Sequence, residues 1–135
     1  MGLVFADIEL HNAREDAPLP MTVNALVVSG ALHLCIPQHV ANQLKLPVLE
    51  QRTVTLADDS ERLVDYVGPI RERFANRQCL VGALVVGEQA LLGAIPMEDL
   101  DVLIDPARQM LTPNPANPNI AASVAMGVRS SSNWH

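Results

Sequence analysis

At 135 residues, with 49% hydrophobic and 18% charged side chains, the sequence holds the material for one compact domain and not for a second. Its net charge of -6 and its 3% of aromatic residues exclude the clustered cations and stacking platforms that nucleic-acid binding uses. No apolar stretch reaches the roughly 18 residues of a membrane helix, and no basic region precedes the apolar residues of the N-terminus, so neither a membrane partner nor a secretory signal is expected and a cytoplasmic location is.

Phe5, Ile8 and Leu10 among polar neighbours predict a first strand over Leu3 to Leu10, followed by a charged, proline-bearing loop from His11 to Pro20. Met21 to Val28 reads as a strand that runs into a buried site and ends at a Ser29-Gly30 turn. Leu32 to Ile36 has strand composition, and Pro37 opens a helix of about two turns that ends near Leu44 and puts Val40 and Leu44 on one face. Thr53 to Ala57 and Arg62 to Val67 flank Asp58-Asp59-Ser60-Glu61 and predict a hairpin with a polar tip. Further strands are expected over Pro69 to Phe74 and Gln78 to Val86.

After Ala90-Leu91-Leu92-Gly93-Ala94-Ile95, Pro96 is placed at the start of a short helix with acidic residues in its first turn. Val102 to Ile104 and Gln109 to Thr112 pair across the turn signal Asp105-Pro106-Ala107-Arg108. Residues 113–135, rich in Pro, Asn and Ser, read as a tail in which Ile120 to Val128 forms at most a weak helix. The fold class is therefore all-β with one or two short helices. Cys35 and Cys79 are too few for a disulfide framework and are expected as buried thiols.

The segment Ala25-Leu26-Val27-Val28-Ser29-Gly30-Ala31 resembles the active-site loop of the retropepsin-like (clan AA) aspartic proteases, in which two apolar residues precede Asp-Thr-Gly or Asp-Ser-Gly. The hairpin at Thr53 to Val67 stands where that family has its substrate-covering flap. Leu91-Leu92-Gly93 and the helix at Pro96 follow in the family's order. The resemblance spans about residues 3 to 112 and points to the bacterial single-domain type. It implies a closed β-barrel, a peptide or protein substrate, and neither metal nor cofactor.

That family's chemistry uses two aspartates that share a proton, one acting as general base on water and the other as general acid. One loop per chain implies a symmetric homodimer. Val28 stands at the catalytic aspartate's position, so both members of the dyad are missing and inactivity is expected, either as a natural loss or as a replacement in an active member. Ser29 matches the bracing hydroxyl and Gly30 the tight-turn glycine. At the flap tip Asp58, Asp59 and Ser60 replace the family's usual glycine. The alternative is a non-catalytic, peptide- or partner-binding homodimeric β-domain. Cys35 and His33, two apart on one face of a strand, could form a nucleophile pair, but a buried cysteine beside a hydrogen-bonded histidine is the plainer reading; zinc on His33 and His39 is set lower because the spacing matches no standard ligand pattern.

Overall fold

The structure, a computed structural model, describes residues 2–14 and 18–122. Residues 123–128 of the expected weak helix lie outside them, and 120–122 are not helical. Among the described residues, nine strands and two short helices follow one another: β1 (Phe5–Asn12), β2 (Met21–Val27), β3 (Leu34–Ile36), α1 (Gln38–Gln43), β4 (Val48–Thr55), β5 (Glu61–Phe74), β6 (Arg77–Val85), β7 (Ala90–Leu92), α2 (Ala94–Leu100), β8 (Val102–Asp105) and β9 (Met110–Pro113). The fold is all-β, as the sequence predicts, with 51% of the described residues in strands.

Six strands close a barrel in the order β1-β2-β7-β3-β6-β5, the last pairing back onto β1, while β4 hangs on β5 outside it. Alternation decides which side chains enter. Ala6, Ile8 and Leu10 of β1 and Val23, Ala25 and Val27 of β2 point inward, with Phe5 and Asp7 facing out. Leu34, Ile36, Ile70, Ala83 and Leu92 complete the interior, and Val40 and Leu44 of α1 with Met97 and Leu100 of α2 join the same core. Branched aliphatics thus do what aromatics do in other cores, as the composition requires.

Several boundaries differ from expectation, among them β4, which starts at Val48 and not at Thr53, and β1, which runs on to Asn12. The sequence breaks the chain at Gly68-Pro69, but β5 runs through it as one 14-residue strand, taking up the proline's missing N–H as a register shift between Val67 and Ile70. Helix α2 starts two residues before Pro96, so Glu98 and Asp99 lie late in the helix and its first turn carries no acid. Pro96 fits there because first-turn N–H groups have no partner within the helix. Pro37 caps α1 rather than beginning it.

One buried group is costly. Glu72 on β5 follows the inward phase of Ile70, is fully buried, and neither of its oxygens accepts a hydrogen bond among the described residues. Burial, then the nearby Asp99 charge, pushes its carboxyl up to about 8. The folded protein therefore holds a proton that the unfolded chain releases near 4.5. The stability tied to that proton is fully present below 4.5 and is lost as pH rises towards 8. Urea unfolding across this range is expected to show falling stability with rising pH, and Glu72→Gln to flatten the slope. An unchanged slope in the variant would assign the dependence to other groups.

Candidate functional site

The Val28-Ser29-Gly30 loop leaves the barrel at the end of β2, and backbone hydrogen bonds fix its course. Strand β7 lies between β2 and β3, parallel to the first and antiparallel to the second. Val28 N–H donates to Leu92 O at 3.0 Å, and Ala31 N–H closes a turn onto Val28 O at 3.1 Å. The unpaired first N–H groups of α2 complete the brace: Ala94 N–H donates to Ala31 O at 2.8 Å and Ile95 N–H to Leu32 O at 2.9 Å. The sequence predicts the loop and the helix; it is the contact between them that gives the loop its shape.

Gly93 sits at the centre of this brace. A Cβ there would lie 2.6 Å from His33 O and 2.7 Å from the Leu32 carbonyl carbon, both backbone atoms that cannot move aside. Gly30, expected as the tight-turn glycine, has no positive φ, and a Cβ on it would meet nothing within 4 Å. Within one chain the glycine requirement therefore falls on Gly93 and not on Gly30.

Val28 is half-buried, while Ser29 and Gly30 are exposed. The three open onto a groove of about 330 Å³ whose other walls include Leu3, Leu26, Ile104 and Gln109. None of the described residues lining it carries an ionisable side chain. The groove can bury apolar surface, but it offers no group to move a proton. Its N-terminal and β8–β9 walls carry no sequence motif; only proximity in the fold identifies them.

Asp58, Asp59 and Ser60 form the tip of the β4–β5 hairpin and are not among the residues lining this groove. Asp59 takes a positive φ of 68°, a conformation Asp tolerates better than most residues. Ser60 donates to Asp58 Oδ1 from both its backbone N–H (3.0 Å) and its hydroxyl (2.5 Å), which holds the Asp58 carboxyl below its ordinary range. The tip is locked by its own side chains. Lower on the hairpin, Arg52 stacks 3.8 Å over the Tyr66 ring, and His33 meets that ring edge-on at 6.3 Å.

The thiol reading fails on its electrostatics. Burial pushes the Cys35 thiol up, away from the thiolate that a nucleophile needs. Burial, then Arg52, lowers the His33 imidazole, whose ring contact is Tyr66. His39 is exposed on α1, beside Glu88 and Gln89, in a groove that does not include His33. Both cysteines are free; Cys35 is buried and Cys79 half-buried.

Asp101 anchors the chain that follows β9. It ends α2 with φ 55° and accepts Asn114 Nδ2 at 3.0 Å, Asn117 Nδ2 at 2.8 Å and Ala122 N–H at 2.9 Å. Those bonds, the Asn114 side chain first, hold its carboxyl below the usual range. Residues 114–122 are thus tied to the body, beyond the end of β9 at Pro113.

Gly93→Ala is expected to destabilise the protein by about 1–3 kcal/mol through backbone overpacking, whereas Gly30→Ala leaves stability unchanged. Paired urea titrations would show it, and a Gly93→Ala protein as stable as its parent would refute the brace. Compared with known proteins, the chain matches no family model and no curated protein sequence.

Proposed function

We propose that this chain is one subunit of a homodimeric retropepsin-like aspartic endopeptidase scaffold that, with Val28 in place of the dyad aspartate, engages a peptide or protein without cleaving it. The observation that carries this reading is the strand β7 between β2 and β3. It lays Leu91-Leu92-Gly93 behind the Val28-Ser29-Gly30 loop, with Val28 N–H on Leu92 O. This brings together two of the sequence segments that carry the resemblance. A polar-tipped hairpin, β4–β5, occupies the flap's place in chain order.

Inactivity follows from chemistry. A symmetric dimer would bring together two Val28 loops, each opening on a groove whose described lining has no acid or base. Water there would have nothing to take its proton, and the substrate carbonyl nothing to protonate it. The second reading, a homodimeric binding domain without a protease scaffold, is favoured by the same apolar lining and by exposed Leu3 and Phe5 near the loop. The open space around the Gly30 Cα leaves room for a partner's loop under either reading.

Val28→Asp separates the two. On the protease scaffold it is expected to produce acid-favoured cleavage of an unstructured protein, blocked by a statine inhibitor, where the parent chain cuts nothing. A Val28→Asp protein that folds and dimerises but never cleaves favours the binding domain. Dimer strength gives an independent measure. Two valines meeting on the axis bury apolar surface worth roughly 1.5–3 kcal/mol per side chain at most, whereas two carboxylates there repel and lose hydration. Sedimentation equilibrium at neutral pH is expected to show the Val28 dimer as tighter than the Val28→Asp dimer; equal or weaker association would count against the loops meeting.

A further inference from the structure

Away from the Val28 groove, β5 and β6 bury a set of polar groups that the proposed function does not use. Cys79 faces Glu72 across the ladder and Arg77 faces Phe74, which puts Arg77 on the diagonal from Glu72. Diagonal neighbours stand about 7–8 Å apart between Cα atoms, within reach of long side chains. Arg77 is buried, and its Nε and Nη1 have no hydrogen-bond partner among the described residues. Its Nη2 is spent elsewhere, donating to Asn114 O at 3.3 Å and to Asn117 O. A buried carboxyl without donors therefore lies diagonally across from a buried guanidinium whose bonds go to the chain after β9.

We propose that Arg77 is a shared anchor, holding the Asn114–Ala122 segment while Glu72 is neutral and swinging to the Glu72 carboxylate, and so releasing the segment, when Glu72 ionises. An ionised carboxylate in the barrel needs a cation. The groups facing it decide which. Helix α2 offers Asp99, which repels it, and β6 offers Cys79, whose thiol burial pushes up. Strand β1 presents Leu10 and Asn12, and the Asn12 amide already donates to Leu44 O and Lys45 O. Arg71 and Arg73 alternate to the other face, where Arg73 meets Glu9 at 3.7 Å. That leaves Arg77 as the cation on the inward face of the hairpin.

The segment is built to be released. No residue from 114 to 122 is buried, and Ile120 is 75% exposed, so little apolar burial holds it. Without Arg77, its remaining ties are the four bonds to Asp101, whose carboxyl the Arg77 charge also helps to hold down, and the bond from Asn76 Nδ2 to Pro118 O at 2.9 Å. Asn114, Asn117 and Ala122 also form one side of a groove of about 400 Å³ with Met97 and Val102 on the other. Release would expose that apolar wall. Since Glu72 is pushed up to about 8, the changeover falls on the mildly alkaline side of neutrality.

Amide hydrogen exchange on the full chain tests this, read by NMR between about pH 6 and pH 9 and corrected for intrinsic rates. The Asn114, Asn117 and Ala122 amides are expected to lose protection about ten-fold or more relative to those of β1 and β2, with a midpoint matching that of the Glu72 carboxyl carbon. Glu72→Gln is expected to keep the segment protected throughout. Three results would overturn the proposal: a Glu72 carboxyl that does not titrate in this range, one that titrates with no change in the segment, or a Glu72→Gln protein that loses protection at the parent's midpoint. The first two use the unmodified protein and hold even if the variant does not fold.

Discussion

The arrangement around Val28 depends on a three-residue strand, β7, being inserted between two strands that do not pair with each other. β2 and β3 are separated by the Val28-Ser29-Gly30 loop and do not pair directly; β7 bridges them, parallel to one and antiparallel to the other. Three residues give few ladder bonds, so the insertion holds only if the chain leaving β7 is fixed as well. Gly93 allows that chain to pass against the backbone at Leu32 and His33, and the donors of α2 then fall on Ala31 O and Leu32 O. The barrel's closure and the loop's shape are consequences of one close approach.

The same closure explains the cost carried at the other site. A barrel has an inside that strand alternation fills without regard to chemistry, and in β5 the phase of Ile70 places Glu72 there. A neutral carboxyl is tolerable in such a place, an ionised one is not. The guanidinium that could neutralise it serves instead to hold chain from outside the barrel. Barrel stability and the docking of residues 114–122 are therefore coupled through one side chain.

How much of this the sequence carried varies with the range of the signal. Strands β1 and β2 were legible because their alternation is local, and the Asp105-Pro106 turn because Asp105 Oδ1 itself accepts the Ala107 and Arg108 N–H groups. The Pro96 helix was legible in kind but not in start, since its first N–H groups are satisfied by a loop more than sixty residues upstream. Pro69 reads locally as a strand breaker, and only its neighbours in β1 and β6 keep β5 continuous. The anchoring role of Asp101 was not legible, because its partners, Asn114 and Asn117, sit in a stretch whose composition reads as tail. Glu72 could have been found, since Ile70, Glu72 and Phe74 share a phase and an acid in an apolar phase is a signal. At the candidate site the Val28-Ser29-Gly30 segment was visible as a motif, whereas the groove walls from Leu3 and Gln109 were not, because they meet it only in the folded chain.

What the loop requires of residue 28 bears on the proposal that valine there replaces an aspartate. Every bond that braces the loop within the chain is made by backbone: the Val28 N–H and carbonyl, the Ala31 N–H and carbonyl, and the Leu32 carbonyl. The side chain at 28 contributes none of them and faces a groove rather than the sealed core. The fold therefore sets the path of the main chain there and leaves the side chain's chemistry open. On that proposal, a carboxylate at 28 could be lost, or restored, without dismantling the loop that positions it. Any pressure to retain a particular side chain at 28 must come from outside the single chain, from a substrate or from the loop of a second subunit. Selection for a proton-transfer group and selection for a close-fitting apolar contact would act on the same position in opposite directions, and valine is what the second would favour.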